Sequence, residues 1–398
     1  MTDETWLPND AQRDLLTAAL VPERRALEAW RRFRAGTGDA TTLGPGAERL
    51  LPLVADNLAK VAEPSPHPEA DAHLLRGREA RLRGRFTGIL RVRDASGWVA
   101  ELARHGVPTL VLKGVALAIR YYRDFGLRPM EDVDLLVRPE HVPVALACVY
   151  SMRFSPMEGI PADCWPPRAH SPNLGTAAVT HGVGFITHEA RMAGVAAREE
   201  DVRQLDLHWA ALSTNCGDRA DDAFWAAATP LPLHGSTALA LAPGHELVHT
   251  IAHGARWNSL PSIRWVADAA MVVRAGLTGS DWDAFVAEVD RRGLALAAGP
   301  SLEHLVGYGI AIPDEVRARV ARLPRRVLDR LRHEHLRWPW DRRKSLRVIA
   351  FDALRFAEGM PLGQAATRLA RYARFRATSA ENGRLSLSTL VAKLRARA

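Results

Sequence analysis

The chain has 398 residues, 47% of them hydrophobic and 25% charged, with a formal net charge of +8. That length provides for two or three domains, each with its own core, and no apolar run reaches the roughly 18 residues of a membrane span. The opening Met-Thr-Asp-Glu-Thr-Trp is acidic where a secretory signal carries positive charge, so a cytoplasmic protein without a membrane partner is expected.

In chain order, Leu15, Leu16, Leu20, Leu27 and Trp30 recur at helical intervals and predict one amphipathic helix over Ala11 to Gly36. A short helix is expected over Ala47 to Ala62. A long one follows from Arg76 to His105 on the spacing of Leu82, Phe86, Ile89 and Val92, ended by Gly106 and Pro108. The period then changes. Thr109 to Leu112 reads as a buried strand, Val115 to Arg123 as a helix, and Asp132 to Val137 as a second strand. A helix over Glu140 to Met152 is followed by a proline-rich stretch, Ser155 to Gly175, with the character of a long loop. Two further strands are expected within Ala177 to Thr187 and Val202 to Trp209, then a Pro- and Gly-punctuated connection from Thr229 to Gly244. Beyond it the pattern is helical, over 245–253, 263–275, 281–291, 313–331 with a break at Pro324, 345–359 and 364–376.

The implied fold is α+β: an α/β core with a mixed sheet (76–235) between an N-terminal helical segment (1–75) and a C-terminal helical domain (236–398). Cys148, Cys164 and Cys216 match no thiolate metal pattern and are odd in number, so they read as packing residues. The basic surplus is modest and spread. Its one cluster, Arg317 to Lys344, alternates with Leu, Val and Trp as a solvated helix face does, not as a nucleic-acid patch.

Chemistry concentrates at Asp132 and Asp134. Carboxylates at i and i+2 of a strand project from one face and can share hard cations. Gly114, between strand and helix, lets a phosphate approach the backbone, and Lys113 adds a positive charge there. Only four of the 53 basic residues are lysines, Lys60, Lys113, Lys344 and Lys393, so a lysine at this junction is the less expected choice. Arg128, in the turn before Asp132, is a second phosphate-binding candidate or an ordinary carboxylate-paired arginine. Asp206 supplies a third carboxylate, and His208 shares its strand face.

Leu112-Lys-Gly-Val-Ala-Leu, Leu127-Arg-Pro-Met-Glu-Asp-Val-Asp-Leu-Leu-Val and Leu205-Asp-Leu-His-Trp together resemble the uncharacterised nucleotidyltransferase family of the polymerase-beta-like nucleotidyltransferase superfamily, over roughly residues 75 to 275. The resemblance implies a minimal nucleotidyltransferase core. Such a core transfers a nucleoside monophosphate from an NTP such as ATP, with Mg2+ or Mn2+, to an acceptor that is a small molecule, peptide, protein or RNA. It implies metal binding by Asp132, Asp134 and Asp206, with Gly114 under the triphosphate. The superfamily's loop serine is missing, since Lys113-Gly114 is followed by Val115, and this leaves a non-catalytic nucleotide-binding module as an alternative.

A competing signal is His245-Glu246-Leu-Val-His249, which matches the His-Glu-x-x-His pattern of zinc hydrolases, with His253 one turn on. The alternatives are that His249, His253 and Asp268 line the nucleotide or acceptor cleft, or that the imidazoles pack between helices. Trp265-Val-Ala-Asp268 continues the family resemblance.

Overall fold

The computed structural model describes residues 6–37, 43–61, 71–157, 181–193, 202–217, 219–256 and 263–337, with 351, 355, 361, 363–367 and 369–370. Cys164, most of the proline-rich stretch, and most of the helices expected over 345–359 and 364–376 lie outside them.

The expected first helix is two, α1 (Asp10–Leu20) and α2 (Glu23–Thr37). Val21 is extended because a residue before proline avoids the helical region, and Pro22 has no N–H to continue the ladder. Helices α3 (Pro45–Glu48) and α4 (Leu51–Leu58) follow, then α5 (Ala72–Arg104), capped by Asp71 on the His73 and Leu74 amides. Three of the apolar residues whose spacing marks α5 as a helix are exposed, Leu82, Phe86 and Ile89, at 65%, 65% and 57%. The face that packs presents Gly84 and Gly88 instead, and a Cβ on Gly88 would stand 2.5 Å from Phe125.

This close approach seats the turn that carries Arg128. After β1 (Leu110–Leu112) come α6 (Lys113–Leu117), a π-helical turn Ala118–Tyr122 and a 3-10 turn Phe125–Leu127. Arg81 and Arg85 both clamp Asp124 at 2.7–3.0 Å, and Asp124 accepts from the Gly126 amide. Then follow β2 (Asp132–Leu136), α7 (Val142–Ser151), β3 (Phe154–Pro156), β4 (Gly182–Thr187), α8 (His188–Ala193), β5 (Gln204–His208) and α9 (Asp222–Ala226). The expected connection over Thr229 to Gly244 is in fact a hairpin, β6 (Thr229–Leu233) and β7 (Ser236–Ala240), turning at Gly235 with φ +80. Its prolines are tolerated because β6 is a sheet edge, where alternate residues face away from the partner strand and need no donor; Leu231, between the prolines, and Leu233 are buried. The hairpin carries the core sheet past the expected boundary at residue 235.

The sheet is mixed, in the order β3-β4-β5-β2-β1-β7-β6. β2 runs parallel to β5 and antiparallel to β1, while β1 and β7 are parallel. Alternation divides its residues between two cores. Val111, Val133, Leu135, Leu205 and Leu207 pack with α5 and α7. Leu110, Leu112 and Leu136, on the opposite face, join a core built by the N-terminal helices together with the C-terminal ones. The latter are α10 (Pro243–Gly254), α11 (Arg264–Arg274), α12 (Gly279–Arg291), α13 (Ala295–Gly307), α14 (Asp314–Arg322) and α15 (Val327–Arg337). No helix among the described residues is long and apolar enough to cross a membrane. Cys148 and Cys216 are buried free thiols. Described arginines of the basic cluster pair with surface acids, Arg317 with Glu303 and Asp314, Arg319 with Asp283.

Candidate active site

Strand register assembles the acidic residues. Leu112 stands opposite Asp134, and Asp134 is the direct partner of Asp206 in the parallel β2–β5 ladder. Paired residues of a parallel ladder share a face, so Asp132, Asp134, Asp206 and His208 all project toward the helical layer. Asp134, Asp206 and His208 each offer an atom within 4.8 Å of the others, the one group of three ligand side chains that close among the described residues. Asp132 stands one strand repeat away, outside that tight group.

β4 makes room for this arrangement. Gly184 is opposite Asp206 and Gly182 opposite His208. A Cβ on Gly184 would come to 3.0 Å from an Asp206 carboxylate oxygen, and one on Gly182 to 2.7 Å from His208 Nδ1. The two glycines, alternating with buried Val183 and Phe185, are a legible signal that sequence reasoning missed: glycine at every second position of a strand marks a face that something approaches.

Asp134 is the hub. Lys113 Nζ donates to its Oδ1 at 2.5 Å, and His208 Nε2 lies 3.0 Å from the same oxygen. Burial opposes its charge, yet Lys113 and His208 hold the carboxyl well below the ordinary carboxylate range. Its neighbours go the other way. Burial, then repulsion from Asp134 and Asp206, pushes Asp132 up to about 6, and burial with repulsion from Asp134 also raises Asp206. Three mutually repelling carboxyl groups with one lysine among them form a hard-oxygen set deficient in positive charge, which suits a cation such as Mg2+.

Lys113 reaches Asp134 from a backbone with φ +46, in the left-handed region that a residue with a side chain seldom adopts. Gly114 sits in tight surroundings: a Cβ there would lie 3.3 Å from Arg128 Nη1 and from the Met130 sulfur. Arg128 is buried and gives its Nε and Nη2 to the two Asp268 oxygens at 2.8 and 2.9 Å, while Tyr122 donates to Asp268 at 2.8 Å. Only Nη1, the nitrogen beside Gly114, takes no part in that pair. Lys113, Gly114, Arg128, Asp132, Asp134, His249, His253 and Asp268 thus line one cleft that opens to solvent. Arg49 and Arg264, which no sequence motif singled out, line it too, together with Trp265 of the Trp265-Val-Ala-Asp268 segment.

Among the described residues the His-Glu-x-x-His segment belongs to no group of three close ligand side chains. His245 packs on Phe224, with ring centroids 5.0 Å apart. His249 and His253 instead face the cleft, so burial sorts the motif's imidazoles to different surroundings. Glu246, the presumptive base of that motif, is fully buried with neither oxygen hydrogen-bonded, and burial pushes its carboxyl up to about 8. Burial, then Lys113, lowers His249 to about 3, so it is a neutral imidazole.

Glu246 yields a stability prediction. The folded carboxyl keeps its proton to about pH 8, whereas the ordinary value is 4.5. Between those values the folded state binds the extra proton, so stability falls as pH rises. Glu246→Gln should therefore unfold in urea near the wild-type midpoint at pH 5. At pH 8.5 it should be more stable by a few kcal/mol, as expected for a shift of this order. Equal pH slopes for the two proteins would refute the buried, protonated carboxyl.

Among known proteins, a family model described as an uncharacterised nucleotidyltransferase matches residues 46–306, which include the whole sheet and α10 to α12. No curated protein matches the chain.

Proposed function

The chain belongs to the uncharacterised nucleotidyltransferase family, and we propose that it is a divalent-metal-dependent enzyme that moves a nucleoside monophosphate from an NTP to an acceptor hydroxyl or phosphate, releasing pyrophosphate. The observation that carries this is the Asp134–Asp206 pairing in the parallel ladder, with Asp132 two residues before it and Lys113 on Asp134. Asp132, Asp134 and Asp206 would hold the cation, Mg2+ or Mn2+. When bound, it offsets triphosphate charge and makes an acceptor hydroxyl more acidic.

The protein's own groups do the rest. Lys113 and the Nη1 edge of Arg128 receive phosphate oxygens over Gly114, where no side chain stands in the way. His208 orients Asp134, as a hydrogen-bonded partner orients a ligating carboxylate. Asp206, with its raised pKa, takes the acceptor's proton as the acceptor oxygen bonds the α-phosphorus and pyrophosphate departs. Loss of the loop serine leaves one hydroxyl donor fewer, and Lys113 supplies charge in its place.

The test is incubation with each of the four α-labelled NTPs, Mg2+ or Mn2+ and a cell extract. Label is expected on an acceptor with one pyrophosphate released per transfer, and none from γ-labelled NTP. Transfer from the γ position would make it a different enzyme, and NTP binding without any transfer would leave a binding module. Stoichiometric zinc lost in His249→Ala would favour the hydrolase.

A further inference from the structure

A second, smaller cavity adjoins the nucleotide cleft, and Lys113 and His253 line both. Its polar wall comprises His181, His208, Ser213, Thr214 and Arg256, and Leu212 and Leu336 of α15 close it with apolar surface. Every titratable side chain that lines it among the described residues is basic, although Asp134 and Asp206 stand just behind His208 on the neighbouring strand positions.

Arg256 is the informative member. It follows the end of α10, where its amide bonds the His253 carbonyl. Gly254, two residues before it, is pressed against Trp265, whose Cγ would lie 2.2 Å from a Cβ there, so the helix end is fixed in position. Burial pulls the Arg256 guanidinium below its ordinary pKa, with Asp206 the largest opposing influence. No carboxylate reaches it as an ion pair among the described residues, and its side chain makes no hydrogen bond to them. Elsewhere in the chain the buried guanidinium groups of Arg128 and Arg292 are each matched to a carboxylate. The Arg256 side chain is half-buried, so its guanidinium keeps some contact with water and stands open to an incoming anion. His208 Nδ1 likewise lacks a partner.

We propose that this cavity is the acceptor site and that the acceptor is a small molecule carrying an oxyanion, which pairs with Arg256 while a hydroxyl of the same molecule is presented to Asp206. The proposal rests on the nucleotidyltransferase reading. The cavity is small and opens to solvent, so only a compact acceptor group can enter it. A guanidinium that shares its cavity wall with Ser213 and Thr214 is fitted to a phosphate ester or a carboxylate, since its planar fork matches two oxygens at once. In the transfer, the acceptor's oxygen bonds the α-phosphorus as the bond from phosphorus to the bridging oxygen breaks. The hydroxyl proton passes to Asp206, pyrophosphate leaves, and the oxyanion keeps its charge throughout.

The test uses the full chain with Mg2+ and an α,β-methylene NTP analogue filling the first cleft, titrated calorimetrically with glycerol 3-phosphate, glycerate and glycerol. Saturable binding of one or both anions is expected, with none of glycerol, and the anion that binds identifies the phosphate ester or the carboxylate. Arg256→Gln should weaken anion binding at least ten-fold. Its effect on the anion should exceed its effect on the analogue at least five-fold, and Arg256→Lys, which keeps the charge, should weaken the anion less. Absence of anion binding, equal binding of glycerol, or an equal loss of analogue and anion in Arg256→Gln would overturn the proposal. If the analogue itself fails to bind the wild type, the nucleotidyltransferase reading falls. The anion titration repeated without analogue then still decides the cavity: Arg256-dependent binding upholds an oxyanion site, and its absence removes it.

Discussion

Asp134→Asn is expected to lower nucleotidyl transfer by about a thousand-fold or more, the upper range for deleting one electrostatic group from a preorganised site. Asn preserves shape and removes charge, so the effect isolates what the carboxylate does. Asp134 is the point where Lys113, His208 and Asp206 converge. On the proposed mechanism its loss takes away one cation ligand, and it releases the lysine and the imidazole that Asp134 holds. The fold should survive, because Lys113 is part-exposed and can turn to water. His208→Ala, which removes only the orienting partner, should cost about 10- to 100-fold. The measurement is initial rate of α-label transfer, with circular dichroism melting to show that each variant is folded. Near-wild-type transfer by Asp134→Asn would end the catalytic assignment.

The largest expected stability effect lies at Asp268. Its two oxygens take Arg128 as a fork, both side chains are at most 8% exposed, and Tyr122 donates to the same carboxylate. Asp268→Ala strands a buried guanidinium and a buried phenol, and should cost about 3–5 kcal/mol in urea or guanidinium unfolding. The pair itself need not be stabilising relative to an apolar filling, because two charges have been taken out of water to make it. Combining Arg128→Met with Asp268→Leu should therefore recover most of the loss while sacrificing the Nη1 that faces Gly114. A single Asp268→Ala variant as stable as wild type would show that Arg128 finds another partner or reaches water.

Much of the site was legible because its signals are local. Asp132 and Asp134 declare a shared strand face by spacing alone, and Lys113-Gly114 sits at a change of hydrophobic period. The long-range facts were not. Nothing in the residues says that Asp134 pairs in register with Asp206, since that depends on which strands become neighbours. On α5 the periodicity of Leu82, Phe86 and Ile89 was correctly helical, but period does not say which face is buried. There the tight approach of Phe125 and Gly126 favoured the glycine face. The prolines of β6 disguised a strand because edge position, which excuses them, is a property of the completed sheet. His245-Glu246-x-x-His249 shows the converse: a local pattern with chemical meaning whose imidazoles the packing sets in different surroundings, His245 on Phe224 and His249 at the cleft. Arg256 was invisible as one arginine among many; only the missing carboxylate distinguishes it.

The bond from Lys113 to Asp134 makes the ammonium a tethered competitor for any cation that comes to the same oxygen. Arrival of a cation is then an exchange, and its apparent affinity is scaled down to the fraction of molecules in which the lysine has left that oxygen. An anion that draws Lys113 away removes that handicap. By reciprocity, the cation strengthens the anion's hold by the same factor. A single side chain thereby links the loading of the two ligands, so that neither accumulates in the cleft without favouring the other.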